Sequence, residues 1–334
     1  MKRAGFLAVG LVVIVVGCVP AFVGAQGMEV TSAKVYLQQT PPLYDKALDL
    51  LNQAVAKHPE NMEVHYLLGL IYSRRANYEK ALQEWEVVVP DKLGKKDRKI
   101  YEDERKQLWT NSFNTGVKLF GEKSYDEAVV RFRVAAKANP NDPRANVNLG
   151  LCLLNAQKTE ESIEPLKKGL AVDPKNVTVW DGLSTAYIRL ANRADENDPK
   201  KKEYYKSAIE TYTNYLQLKK DDPSAYFNLA NSYLATGDTT KAMTIYQAGI
   251  DNVPQTVDFY FNLSLLYSRM KQYDKVTALL QRAKELKPDD PEILLNLGTT
   301  YYNIKQFTDA IDPLEMHLKL KPNSIDGWDT LGRV

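Results

Sequence analysis

The side chains able to do chemistry are few and scattered. The three histidines, His58, His65 and His317, stand far apart in the chain, and no His-Glu-x-x-His motif, clustered Cys/His ligand set or glycine-rich phosphate loop accompanies them. Of the two cysteines, Cys18 sits in an uncharged N-terminal stretch. Cys152 lies beside Leu149 and Leu153 at an inward-looking helical phase, where a thiol is a small, inert hydrophobe. The carboxylate pairs Glu160-Glu161, Asp221-Asp222 and Asp289-Asp290 would act as acid and base only if opposed across a cleft. Just before or at the starts of helical segments, they suit the partial positive charge of a helix N-terminus. Asn148, Asn228, Asn262 and Asn296 recur at one phase of four segments. Amides on such a face hydrogen-bond the backbone of an extended peptide, or else bridge adjacent helices. With no catalytic, metal or cofactor set, the chain is expected not to be an enzyme and to need no cofactor; binding is the chemistry it can do.

The elements that position these residues repeat. Ala128, Phe132, Ala135 and Pro140 keep the same spacings as Ala242, Tyr246, Gly249 and Pro254, and Tyr233, Tyr267 and Tyr301 fall 34 residues apart. Leu149-Gly150, Leu297-Gly298 and Leu331-Gly332 share one phase of that register. A period of this length marks stacked helix pairs that bury their apolar faces only against neighbours. Glycine and alanine at fixed phases let helices approach to about 8–10 Å, larger residues fill the gaps, and the recurring prolines end each second helix.

A large residue, Leu-Gly and Tyr in a first helix, followed by Ala, an aromatic, Ala and Pro in a second, resembles the tetratricopeptide repeat (TPR) family over most of residues 28–334. The resemblance implies an all-α fold, a right-handed α-solenoid of tandem TPR helix-turn-helix units. Units 1–2 span 28–88, a charged helical insertion covers 89–108, and units 3–8 span 109–322. Residues 325–334, with Ile325, Trp328, Leu331 and Gly332, read as the start of a ninth, internal-type unit, so the sequence is expected to be a piece of a longer product. Within the fifth unit, residues 191–202 are rich in Asn, Asp and Lys and are expected to form a solvent loop.

In this family first-helix side chains line a concave groove. The corresponding phases hold Val147, Asn148, Leu151, Phe227, Asn228, Asn231, Phe261, Asn262, Leu265, Leu295, Asn296 and Tyr302. Chaperone-binding members clamp a terminal carboxylate with lysines, an arginine and asparagines. Asn231 and Asn262 fit two of those places, but the positive positions hold Phe227, Glu292 and Asn296, so an apolar or aromatic-rich protein segment is the better ligand. With 44 Lys+Arg against 42 Asp+Glu, net charge +2, and no basic face that recurs along the array, nucleic acid is not an expected partner.

The N-terminus is a different material. Lys2 and Arg3 precede an uncharged stretch over residues 4–25, the pattern of an export signal, and Val23-Gly24-Ala25 places cleavage before Gln26. Alternatively, Val15-Val16-Gly17-Cys18 resembles a bacterial lipobox with valine where leucine is usual, which would make residues 1–17 the signal and Cys18 the lipidated residue. An uncleaved anchor is the third reading, since about 20 apolar residues span a bilayer. The product is expected to be exported, periplasmic or secreted, or alternatively a membrane-anchored lipoprotein. Function follows as a non-catalytic adaptor in the bacterial cell envelope. The alternatives are a self-assembling TPR protein forming oligomers or filaments, and the N-terminal region of a longer enzyme or envelope protein whose functional domain lies beyond Val334.

Overall fold

Ends of helices are where this sequence is most explicit. In the computed structural model, which describes residues 27–334, Asn61, Asp142, Asn176, Asp198, Asp222, Asp290 and Ser324 each stand at an N-cap and accept backbone N–H groups of the first turn. Pro143, Pro199, Pro223 and Pro291 follow four of these caps, at a position where a missing N–H costs nothing. At the other end, Asn139, Asp173, Val253, Lys287 and Lys321 close second helices outside the helical region, away from which a following proline pushes its predecessor. The leader, both cleavage sites and Cys18 lie outside the described residues.

All described regular structure is helical, in two compact units. The first, ending at Glu104, contains α1 (Met28–Leu37), α2 (Tyr44–Lys57), α3 (Met62–Arg74), α4 (Tyr78–Trp85), a 3₁₀ turn at Pro90–Lys92 and the start of α5 (Lys95–Gly121). Its core gathers Leu51, Leu68, Ile71 and Trp85, with Tyr101 edge-on to Trp85 at 5.3 Å. The charged run of residues 97–106 is the early part of α5, which continues without a break through residues 108 and 109 into the second unit.

The second unit holds the rest of α5, then α6 (Tyr125–Ala138), α7 (Pro143–Asn155), α8 (Thr159–Val172), α9 (Val177–Arg193), α10 (Pro199–Leu218), α11 (Pro223–Thr236), α12 (Thr239–Asn252), α13 (Val257–Arg269), α14 (Tyr273–Leu286), α15 (Pro291–Asn303), α16 (Phe307–Leu320) and α17 (Ile325–Arg333). From α6 onward each helix packs on the next in sequence, and α7 also touches α9. The solvent loop expected over 191–202 shrinks to residues 194–198. Residues 191–193 end α9, and Asp198 with Pro199 starts α10 early, so the insertion lengthens both helices.

One packing device repeats. A Cβ added to Gly69 would stand 2.1 Å from the Trp85 indole, one on Gly116 2.8 Å from Phe132, and one on Gly150 or Gly298 2.5 Å from Leu166 or Leu314. In every case the partner is the residue sixteen positions on, at the centre of the second helix. A second device ties successive units. His65 Nε2, Trp180 Nε1, Tyr260 Oη and Trp328 Nε1 donate to the carbonyls of Pro59, Pro174, Pro254 and Pro322 at 2.8–3.0 Å. The large first-helix residue thus satisfies a carbonyl left open at the preceding helix end. Turns within units use the left-handed region at Lys123, Gln157, Gly237, Lys271 and Lys305, and only one of these is glycine.

The caps make stability pH-dependent. Hydrogen bonds from Arg144 hold the Asp142 carboxyl below the usual carboxylate range. At Asp290 burial pushes upward, but Lys287 and the N–H groups of Ile293 and Glu292 outweigh it and lower the pKa. A carboxylate whose native pKa is depressed contributes stability above its ordinary range and loses it as pH falls through the native value. The thermal midpoint of residues 27–334 is therefore expected to fall progressively below about pH 4. A midpoint flat from pH 6 to pH 2.5 would contradict this.

Candidate binding face

On α7, α11 and α13 the residues named from the repeat phases lie at i, i+1 and i+4, which places each triple on one side of its helix. Leu295, Asn296 and Tyr302 extend the set onto α15. All of them are half-buried, neither core nor free surface. Their undersides are engaged. Phe227 stands edge-on to Tyr246 with ring centroids 6.2 Å apart, and Phe261 packs against the core around Tyr260 and Leu280. Val147 fills the space over Gly169 of its own helix pair, while Leu151 lies against Gly182 of α9 and so sutures its unit to the next.

The asparagines divide. Asn148, Asn262 and Asn296 donate to the carbonyls of Arg144, Asp258 and Glu292 at 2.7–2.8 Å, one turn back on their own helices. That bond uses one amide N–H of each side chain and leaves its oxygen and second N–H outside it. Asn228 instead lies close enough to the Tyr212 phenol of α10 to oppose the upward push that burial gives it. At the next phase Asn231 accepts from the Tyr246 hydroxyl at 3.0 Å.

Other residues of the same face escaped the sequence reading. Phe113 and Asn114 of α5 occupy the phases of Val147 and Asn148. Phe113 stacks on Trp109 at 5.0 Å, and the Arg144 guanidinium lies 4.8 Å over Trp109 while Asp142 grips its edge at 2.7 and 3.0 Å. Asp181 of α9 holds the phase that is Phe, Val or Leu elsewhere on the face. Burial, then the neighbouring Asp222, push its carboxyl above the usual range. Asp222 itself caps α11 and accepts the Tyr215 hydroxyl at 2.6 Å.

The chemically reactive types have structural work. His317 is buried and donates from Nδ1 to the Pro291 carbonyl at 2.8 Å. The Cys152 thiol faces the Tyr125 carbonyl at 3.3 Å, and burial followed by the charge of Asp126 pushes it up to about 11. Among the described residues no group of three or more His, Cys, Asp or Glu could hold a metal ion, and no helix is long and apolar enough to cross a membrane.

Helix pairs locked by a glycine or small residue against a partner sixteen positions on, with a half-buried face on the first helices, define a helical-repeat scaffold. The chain belongs to the tetratricopeptide repeat family, whose models match residues 43–89, 119–187, 202–261 and 257–290, more than half of its length. It is a protein-interaction scaffold. It is 26% identical over 186 residues to a BBSome complex member BBS4 homolog of Drosophila melanogaster, covering 56% of this chain and 33% of that protein. To the BBSome complex member BBS4 of Bos taurus it is 26% identical over 217 residues, 65% of this chain and 37% of that protein. The chain thus spans about a third of the length of these relatives. Among solved structures, YrrB, a TPR protein with an unusual peptide-binding site, aligns at 16% identity over 61% of this chain and 98% of its own, with a TM-score of 0.47.

Proposed function

We propose that this chain is a non-catalytic adaptor of the bacterial cell envelope that holds an extended, apolar or aromatic-rich protein segment along the first-helix face of its second unit. The observation that carries the reading is the half-burial of Phe227, Phe261, Leu265, Leu295 and Tyr302 on successive first helices. Buried on one side and open on the other, they offer apolar contact at little further ordering cost. Membership of a multiprotein complex, stated in the names of the BBS4 relatives, supports a scaffold role. Export through the N-terminal leader, cleaved before Gln26 or at Cys18 with lipidation there, places the adaptor in the periplasm, outside the cell or on a membrane tether.

Phe227→Ala and Leu265→Ala are expected to weaken capture of the partner in a crosslinking pull-down from the native envelope by about tenfold or more, as removal of a central apolar anchor does. Phe227 also packs on Tyr246, so stability is measured alongside. Ile311→Ala, on an exposed side chain of the second helix α16, is the matched control and is expected to leave capture unchanged. Equal capture by all three variants would sink the assignment of this face.

A further inference from the structure

Beside Phe227 the first-helix face opens into a cleft of about 300 Å³ between α11 and the start of α13, walled by Pro223 and Phe227 and edged by Ser224, Asn228, Thr256 and Asp258. An α-helix about 10 Å across does not fit such a space, whereas one long side chain does. Its lining mixes aromatic and proline surface with polar oxygens and one carboxylate.

That carboxylate has no ion-pair partner among the described residues. Lys287, whose ammonium feels the charge of Asp258, is bonded to Asp290 at 2.7 Å. Across α11, Asp181 also makes no ion pair among the described residues; burial and the field of Asp222 push its carboxyl up, and the charge of Lys219 offsets them only in part. Arg144, the cation at the corresponding phase of α7, is already neutralised by Asp142. The middle of the face therefore presents apolar surface flanked by two carboxylates, Asp181 and Asp258, that make no ion pair among the described residues.

We propose that this cleft is the subsite for a lysine or arginine side chain of the bound segment, its aliphatic stem lying on Phe227 and Pro223 and its cationic head meeting Asp258, with Asp181 adding attraction from the far side of α11. The proposal rests on the first-helix face being the docking surface and narrows the partner to an apolar segment bearing a basic residue. Long cationic side chains suit such a site because the stem covers apolar surface while the head keeps polar contacts.

A positional-scanning array of synthetic nonapeptides, probed with the purified chain of residues 27–334, tests it. Lysine or arginine is expected to be enriched about tenfold over norleucine at one position next to an apolar preference. Asp258→Asn, an isosteric change at an exposed residue, is expected to erase that enrichment and keep the apolar preference, and Asp258→Lys to replace it with Asp or Glu. Binding that depends on Phe227 but shows no basic preference, or one unmoved by Asp258→Asn, overturns the subsite and leaves the face intact. Peptide binding indifferent to Phe227→Ala overturns both.

Discussion

Trp85→Ala is expected to lower the stability of the first unit by about 3–5 kcal/mol, the cost of removing a large buried aromatic. Trp85 is 2% exposed, its ring is met edge-on by Tyr101 at 5.3 Å, and its Nε1 donates to the Tyr66 carbonyl at 3.3 Å. The glycine opposite makes the site unforgiving. Gly69 leaves a cradle in which even a Cβ would lie 2.1 Å from the indole, so alanine at 85 leaves a void that the rigid backbone of α3 cannot fill. Trp85→Phe keeps most of the volume and loses the N–H, and is expected to cost less. Guanidinium unfolding followed by far-ultraviolet circular dichroism gives both values, and a Trp85→Ala loss below 1 kcal/mol would mean the ring is not the centre of that core.

Gly298→Leu is expected to cost about 1–3 kcal/mol by overpacking. The added Cβ alone would stand 2.5 Å from Leu314 Cγ and 3.3 Å from the Ala310 carbonyl oxygen, so neither a rotamer change nor a small shift of one side chain makes room. The pairing predicts a specific rescue. Leu314→Ala alone leaves a cavity, but combined with Gly298→Leu the new side chain occupies it, and the double variant is expected to be more stable than the sum of the two losses by about 0.5–3 kcal/mol. Strict additivity would show that the two residues do not share one space.

Much of this was legible in the sequence because sterics write directly into residue type. A glycine or alanine is kept where helices touch, an aromatic where a gap must be filled, and Asp-Pro where a helix starts, so the period of Tyr233, Tyr267 and Tyr301 locates first and second helices through most of the chain. What stayed hidden had no such signature. Left-handed turns at Lys123, Lys271 and Lys305 look like ordinary exposed lysines, since the fold imposes the conformation where local preference does not. Phe113 and Asn114 were masked because the charged insertion merges into α5 and blurs the start of the third copy. Counting back three and two residues from Gly116 would have found them. The asparagine recurrence was plain but its meaning was not, because an amide that turns to the carbonyl one turn back leaves the same spacing as one that reaches a ligand. Asp181 breaks the apolar pattern of its phase, so that pattern does not point to it, and it adds to the negative charge that Asp258 brings to the face.

The docking of a protein segment on the first-helix face is tested most directly by a photocrosslinking amino acid placed singly at positions 147, 231, 265 and 302, and at 130 and 311 on second helices as controls, with the captured peptides sequenced by mass spectrometry. The expected result is that the first-helix positions capture neighbouring peptides of one polypeptide, in an order that follows the positions along α7, α11, α13 and α15, while 130 and 311 capture none of them. Capture from positions 130 and 311 alone, or of peptides with no common order, would contradict it.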